Sequence, residues 1–142
     1  MNNEGIYASL LKELRFKIGE QYEINEFNLK SVESTFINGL EYENYEYIKG
    51  DFKTLFGVQL LNNIIIQYNG DILSGMIYSL DLSDLDSLVE TLNDCLSFSE
   101  KLDIDKLYLG QTINICIAEG ISIKLDIEEL VSLRVFRTLG QT

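Results

Sequence analysis

Three observations predict an α+β protein, mainly antiparallel sheet built from hairpins, with about three helices packed on one face in two layers. Two apolar runs meet at Asn69-Gly70, two alternating segments meet at Glu119-Gly120, and two stretches repeat apolar residues at helical spacing while a third opens on a capping arrangement. Hairpins join antiparallel neighbours, and amphipathic helices bury their apolar stripe on the sheet they leave. With 142 residues, 46% of them hydrophobic and 24% charged, residues 1–142 suit one globular domain that needs no disulfide or metal staple.

The first predicted helix places Ile6, Leu10, Leu11, Leu14 and Ile18 on one face, with Gly19 as its stop. From Tyr22 to about Phe56 the pattern weakens. Ile24, Phe27 and Leu29 hint at a strand there, and the segment from Glu41 to Ile48 is rich in aromatic strand formers. Val58 to Tyr68 and Ile72 to Leu80 then form the arms of a hairpin. Its Asn69-Gly70 pair tolerates the positive φ of a type I′ turn. The second helix carries Leu82, Leu85, Leu88, Val89, Leu92 and Leu96 on one stripe, with Asp81 or Ser83 as its cap.

After a polar linker from Ser99 to Lys106, Ile113, Ile115 and Ile117 alternate with polar neighbours, as do Ile121, Ile123 and Leu125 beyond the turn. A third helix is expected to follow, capped by Asp126 with Glu129 three residues on and running to about Leu139. The segments Leu80 to Leu88 and Leu125 to Leu133 share their leucines, an Asp and a Ser, which reads as one helix-capping solution reached twice and not as a duplication.

Charge narrows the function classes. The 23 acidic and 11 basic residues leave a net charge of -12. Between Lys53 and Lys101 there is no Lys, Arg or His, while Asp71, Asp81, Asp84, Asp86, Glu90, Asp94 and Glu100 all fall there. Nucleic acid and anionic membrane surfaces are disfavoured as ligands, because binding them requires Lys and Arg against phosphate. Basic proteins are favoured. No basic-then-apolar leader and no apolar segment of spanning length is visible, so a cytoplasmic protein is expected. Cys95 and Cys116 lack metal spacing and read as reduced core residues.

No catalytic residue, cofactor or metal ligand is assigned, and an enzyme is not expected. The chain has no His to serve a Ser or Cys nucleophile. Gly70-Asp71-Ile72-Leu73-Ser74-Gly75 lacks the Lys and Ser or Thr of a phosphate loop, and the acids from Asp81 lack the Gly and closing Glu of a calcium loop. A carboxylate pair acting as acid and base ranks third among the readings, since 23 acids make pairs unavoidable without marking a pocket.

Two surfaces stand out as candidate partner-binding sites. Asp86, Glu90 and Asp94 recur every four residues, so a helix stacks them about 6 Å apart. That row costs the helix roughly 0.2–0.5 kcal/mol per like-charge pair. The second is Glu41, Tyr42, Glu43, Tyr45, Glu46 and Tyr47, where aromatic anchors alternate with charge. The expectation is a small acidic inhibitory binding protein that covers a basic surface of a partner protein, as an immunity protein covers a toxin or a nucleic-acid mimic covers a nucleic-acid-binding enzyme. The alternative is a structural or assembly module that forms a homo-oligomer such as a dimer through its sheet edge, with acidity serving solubility.

Overall fold

The computed structural model describes residues 12–37, 39–96, 100–118 and 120–138. Alternation of apolar and polar side chains produces most of its strands: β1 (Leu29–Ser31), β2 (Thr35–Ile37), β3 (Leu40–Tyr47), β4 (Thr54–Leu55), β5 (Val58–Gln59), β6 (Ile65–Asn69), β7 (Ile72–Asp81), β8 (Thr112–Ala118), β9 (Ile121–Asp126) and β10 (Leu130–Arg137). Eight of them form one sheet in the order β1-β3-β6-β7-β10-β9-β8, with β2 also on β3, and every pairing in it is antiparallel. β4 and β5 make a separate hairpin. Helix α1 (Leu85–Cys95) follows β7, and the chain passes β10 and β9 to start β8 at the edge before β9 and β10 return to β7. The class is sheet-rich α+β.

One face of the sheet holds the core. Met76, Tyr78 and Leu80 of β7, Val131, Leu133 and Val135 of β10, and Ile121, Ile123 and Leu125 of β9 are buried, as are Leu85, Leu88, Val89 and Leu92 of α1. These side chains join one apolar cluster, each worth roughly 1.5–3 kcal/mol when fully withdrawn from water. Leu14, Phe16 and the β4–β5 hairpin residues Leu55, Phe56 and Val58 extend the cluster over β3 and β6. Tyr78 donates its hydroxyl to the carbonyl of Leu14 at 2.7 Å, which ties that segment down.

Several expectations are corrected. The third helix is strand β10, paired on both sides with β7 and β9. Val131, Leu133 and Val135 fit a period of two while Ile127, Leu130, Val131 and Val135 fit helical spacing, and the open edges of β7 and β9 decide between them. Asp126 caps nothing there and instead accepts from Thr112 Oγ1 at 2.6 Å, while Glu128 and Glu129 lie in a bend. The shared text of Leu80 to Leu88 and Leu125 to Leu133 therefore ends in a helix once and a strand once.

Of the first predicted helix, residues 12–14 are helical, its expected continuation through Ile18 to Gly19 is not, since Arg15 already turns to a positive φ of 74°, and its earlier part lies outside the described residues. The second helix stands as α1, preceded by a 3₁₀ turn (Leu82–Asp84) whose start Asp81 caps by accepting from the Ser83 amide. The hairpin at Asn69-Gly70 also stands, but the positive φ angles belong to Gly70 (58°) and Asp71 (66°), so the turn sits one residue later. Asn69 pairs with Ile72, and its side chain donates to the Glu41 carbonyl. The run from Val58 to Tyr68 is two strands parted by residues 60–64. Ile24 and Phe27 belong to short 3₁₀ turns (Tyr22–Ile24 and Glu26–Asn28), with Phe27 91% exposed. Cys95 is buried as expected, but Cys116 faces outward from β8, because even-numbered positions of that strand point away from the core.

Candidate functional site

Helix α1 presents its acidic row as the spacing requires. Leu85, Leu88, Val89 and Leu92 turn inward, so Asp86, Glu90 and Asp94 are exposed along one line. The two ion pairs among the described residues, Lys49–Asp51 and Lys124–Asp126, leave this row untouched. Beside it runs a groove of about 370 Å³ lined by Asp86, Val89, Glu90, Asn93, Leu102 and Ile104. Asn93 holds the far wall in place: its amide donates to the Leu102 carbonyl at 2.9 Å, and its carbonyl accepts from the Leu102 amide at 2.7 Å. The groove thus has an apolar base in Val89, Leu102 and Ile104 with carboxylates along one rim.

The second expected surface is divided by the pleat of β3. Glu41 and Glu43 are exposed and Glu46 is half-buried, but Tyr42 and Tyr47 are each only 5% exposed. Tyr47 stacks on Phe52 at 5.5 Å and meets the edge of Phe16 at 5.0 Å, inside the core. Tyr45 is half-buried in a cluster with Tyr22 and Tyr68, at 5.2 and 5.7 Å. Tyr42 lies on the opposite face. The three tyrosines are not one set of anchors for a partner, since alternate residues of a strand point to opposite sides.

Burial, the first cause in each case, pushes the hydroxyls of Tyr45, Tyr47 and Tyr68 up to about 12, with Tyr22 and Glu43 adding to it at Tyr45 and Asp51 at Tyr47.

The face away from the core carries a polar ladder that sequence reading did not single out. Arg134 Nε donates to Gln67 Oε1 at 2.7 Å, Gln67 Nε2 donates to Asn44 Oδ1 at 3.1 Å, and Asn44 Nδ2 donates to Thr35 Oγ1 at 2.7 Å and the Glu33 carbonyl at 2.9 Å. Gln67 and Asn44 are 2% and 8% exposed. The Arg134 guanidinium lies 4.3 Å from the Phe136 ring centroid and 5.7 Å from that of Tyr42, and its burial lowers its pKa, opposed by Tyr42. Each of these ladder donors finds an acceptor, which makes the ladder a framework that orders the face. The signal for it was the out-of-phase position of Arg134 between Leu133 and Val135, which the helical reading concealed.

A second cleft, about 600 Å³, opens between the sheet and the β4–β5 hairpin, lined among others by Glu46, Lys53, Gln59, Asn62, Asn63 and Ser79. Among the described residues no three His, Cys, Asp or Glu side chains converge as a metal-ligand set. No helix of the described residues is long and apolar enough to cross a membrane. Comparison with protein-family models, with curated proteins and with solved structures finds no match.

Proposed function

We propose that this chain is a small acidic binding protein that covers a basic surface of a partner protein, with α1 as the contact element. The observation that carries the reading is the groove beside Asp86, Glu90 and Asp94, with carboxylates on its rim and Val89, Leu102 and Ile104 beneath. A Lys or Arg side chain has the same division, an apolar stem and a charged tip, so it can fill such a groove while its head stays among the acids. The net charge of -12 speeds the approach of a basic partner. Glu41 and Glu43, exposed on β3, add to the negative charge that attracts such a partner. Tyr42 and Tyr47 are withdrawn from this role by their burial.

The test is capture of partners from nuclease-treated lysate on the immobilised chain at low salt, followed by elution with rising salt. The expected result is one basic protein held in stoichiometric amount by the natural chain and released by Asp86→Asn/Glu90→Gln/Asp94→Asn. Equal capture by the triple variant, or no basic protein at all, would overturn the reading. The assembly reading draws on β8, an edge strand of the described sheet whose residues Thr112–Ala118 carry no charge. Light scattering that finds a closed dimer and no foreign partner would favour it.

A further inference from the structure

We infer that the cleft between the β4–β5 hairpin and the sheet is a second binding site, one that takes a short extended peptide segment. Its sheet wall is Glu46 of β3, Ile65 of β6 and Ser79 of β7, and its other wall is the chain around Gly50, Phe52 and Lys53 together with residues from Gln59 to Asn63. At about 600 Å³ it falls in the range of small-ligand sites.

The hairpin behind that wall is fixed in place, although its residues 54–58 do not line the cleft themselves. Phe56 and Gly57 adopt the positive φ angles of a tight hairpin turn, 52° and 78°. Leu55 and Val58 are sunk in the core, and the Phe56 amide donates to Glu13 Oε1 at 3.1 Å. Beyond the hairpin, the Leu60 amide donates to the Lys53 carbonyl and the Leu61 amide to the Ser79 carbonyl, both at 2.9 Å. A ligand entering the cleft does not have to order it, so little binding energy is lost to folding a loop.

The lining selects the ligand class. One carboxylate, Glu46, and one ammonium, Lys53, give no net sign, and a single Lys in a chain of charge -12 does not suit a phosphate-rich ligand. The carboxamides of Gln59, Asn62 and Asn63 each pair a donor with an acceptor, as a peptide bond does in reverse. Leu61, 48% exposed on the cleft wall, and half-buried Ile65 offer apolar contact to side chains.

A nucleobase or a sugar would call for a free aromatic face, and Phe52 has none to give. Tyr47 stacks on its ring, Phe16 meets it edge-on at 5.6 Å, and the Arg15 guanidinium stands 4.8 Å from its centroid.

The test titrates the ¹⁵N-labelled full chain with a pool of acetylated, amidated tetrapeptides with uncharged side chains, and in parallel with a pool of neutral disaccharides. Peptides are expected to shift the side-chain amide signals of Gln59, Asn62 and Asn63 and the backbone amides of Leu61 and Ser79. Those shifts are expected to vanish in Asn62→Ala/Asn63→Ala and to persist in Asp86→Asn/Glu90→Gln/Asp94→Asn, which separates this site from the acidic helix. If the double variant loses its dispersed spectrum, Asn62→Ser alone is read the same way. No shifts with peptide, shifts that survive removal of the carboxamides, or shifts with disaccharide only would overturn the inference.

Discussion

Gly75 is a residue defined by the side chain it lacks. A Cβ placed there would meet Gln67 Oε1 at 2.8 Å and the Val135 carbonyl at 3.3 Å, so the bare backbone of β7 is what lets Gln67 reach Arg134 across it. Gly75→Ala is expected to cost about 1–3 kcal/mol, the usual penalty for crowding a packed site. Because the nearest atom is the end of one side chain, most of that cost should disappear in a Gln67→Ala background, as a double-mutant cycle in urea would read. An equal cost in both backgrounds would place the strain at Val135 instead.

The tyrosines argue at the same scale through pH. Tyr45, Tyr47 and Tyr68 hold their protons up to about 12 in the folded chain, against about 10 when unfolded. The unfolded chain therefore loses these protons first. Their contribution is complete below about pH 10 and is lost as pH rises toward 12. Tyrosinate absorbance should accordingly rise in two stages, the second coinciding with loss of far-ultraviolet dichroism, and a single stage near pH 10 in a folded chain would contradict these burials.

Helix α1 carries a charge row that works against its own stability. Asp86 and Asp94 each face Glu90 at a spacing of four, which opposes helix formation. Glu90→Lys turns two like-charge pairs into opposite pairs, and it should raise stability by about 1 kcal/mol in dilute salt, measured as a later urea midpoint, while weakening capture of a basic partner.

This helix was readable in the sequence because its apolar stripe and its Asp81 cap agree, and they outweigh the charge row that opposes it. β10 was not, since Ile127, Leu130, Val131 and Val135 satisfy a helix as well as Val131, Leu133 and Val135 satisfy a strand, and only the waiting edges of β7 and β9 resolve the tie. The acidic row was likewise legible, whereas Gln67 and Asn44 were not. Nothing local tells a solvated amide on a strand from one link in a buried ladder.

For the whole molecule, one charge imbalance acts on two equilibria in opposite directions. The 23 acids and 11 bases repel on balance, and only two ion pairs occur among the described residues, so the folded state concentrates negative charge that the unfolded chain spreads out. Salt shortens the reach of that repulsion from about 30 Å at 0.01 M to about 10 Å at 0.1 M. Raising salt should therefore move the urea midpoint upward.

Association with a basic partner should respond the other way, because the same screening removes the attraction that steers the two together. The association rate is expected to fall with salt while the dissociation rate changes little, a split that stopped-flow mixing resolves. In Asp86→Asn/Glu90→Gln/Asp94→Asn the chain loses three negative charges, and both slopes should flatten. A partner whose association rate ignored salt, beside a fold that salt still stabilised, would mean that the acidity keeps the molecule apart from its own copies and has no part in recognition.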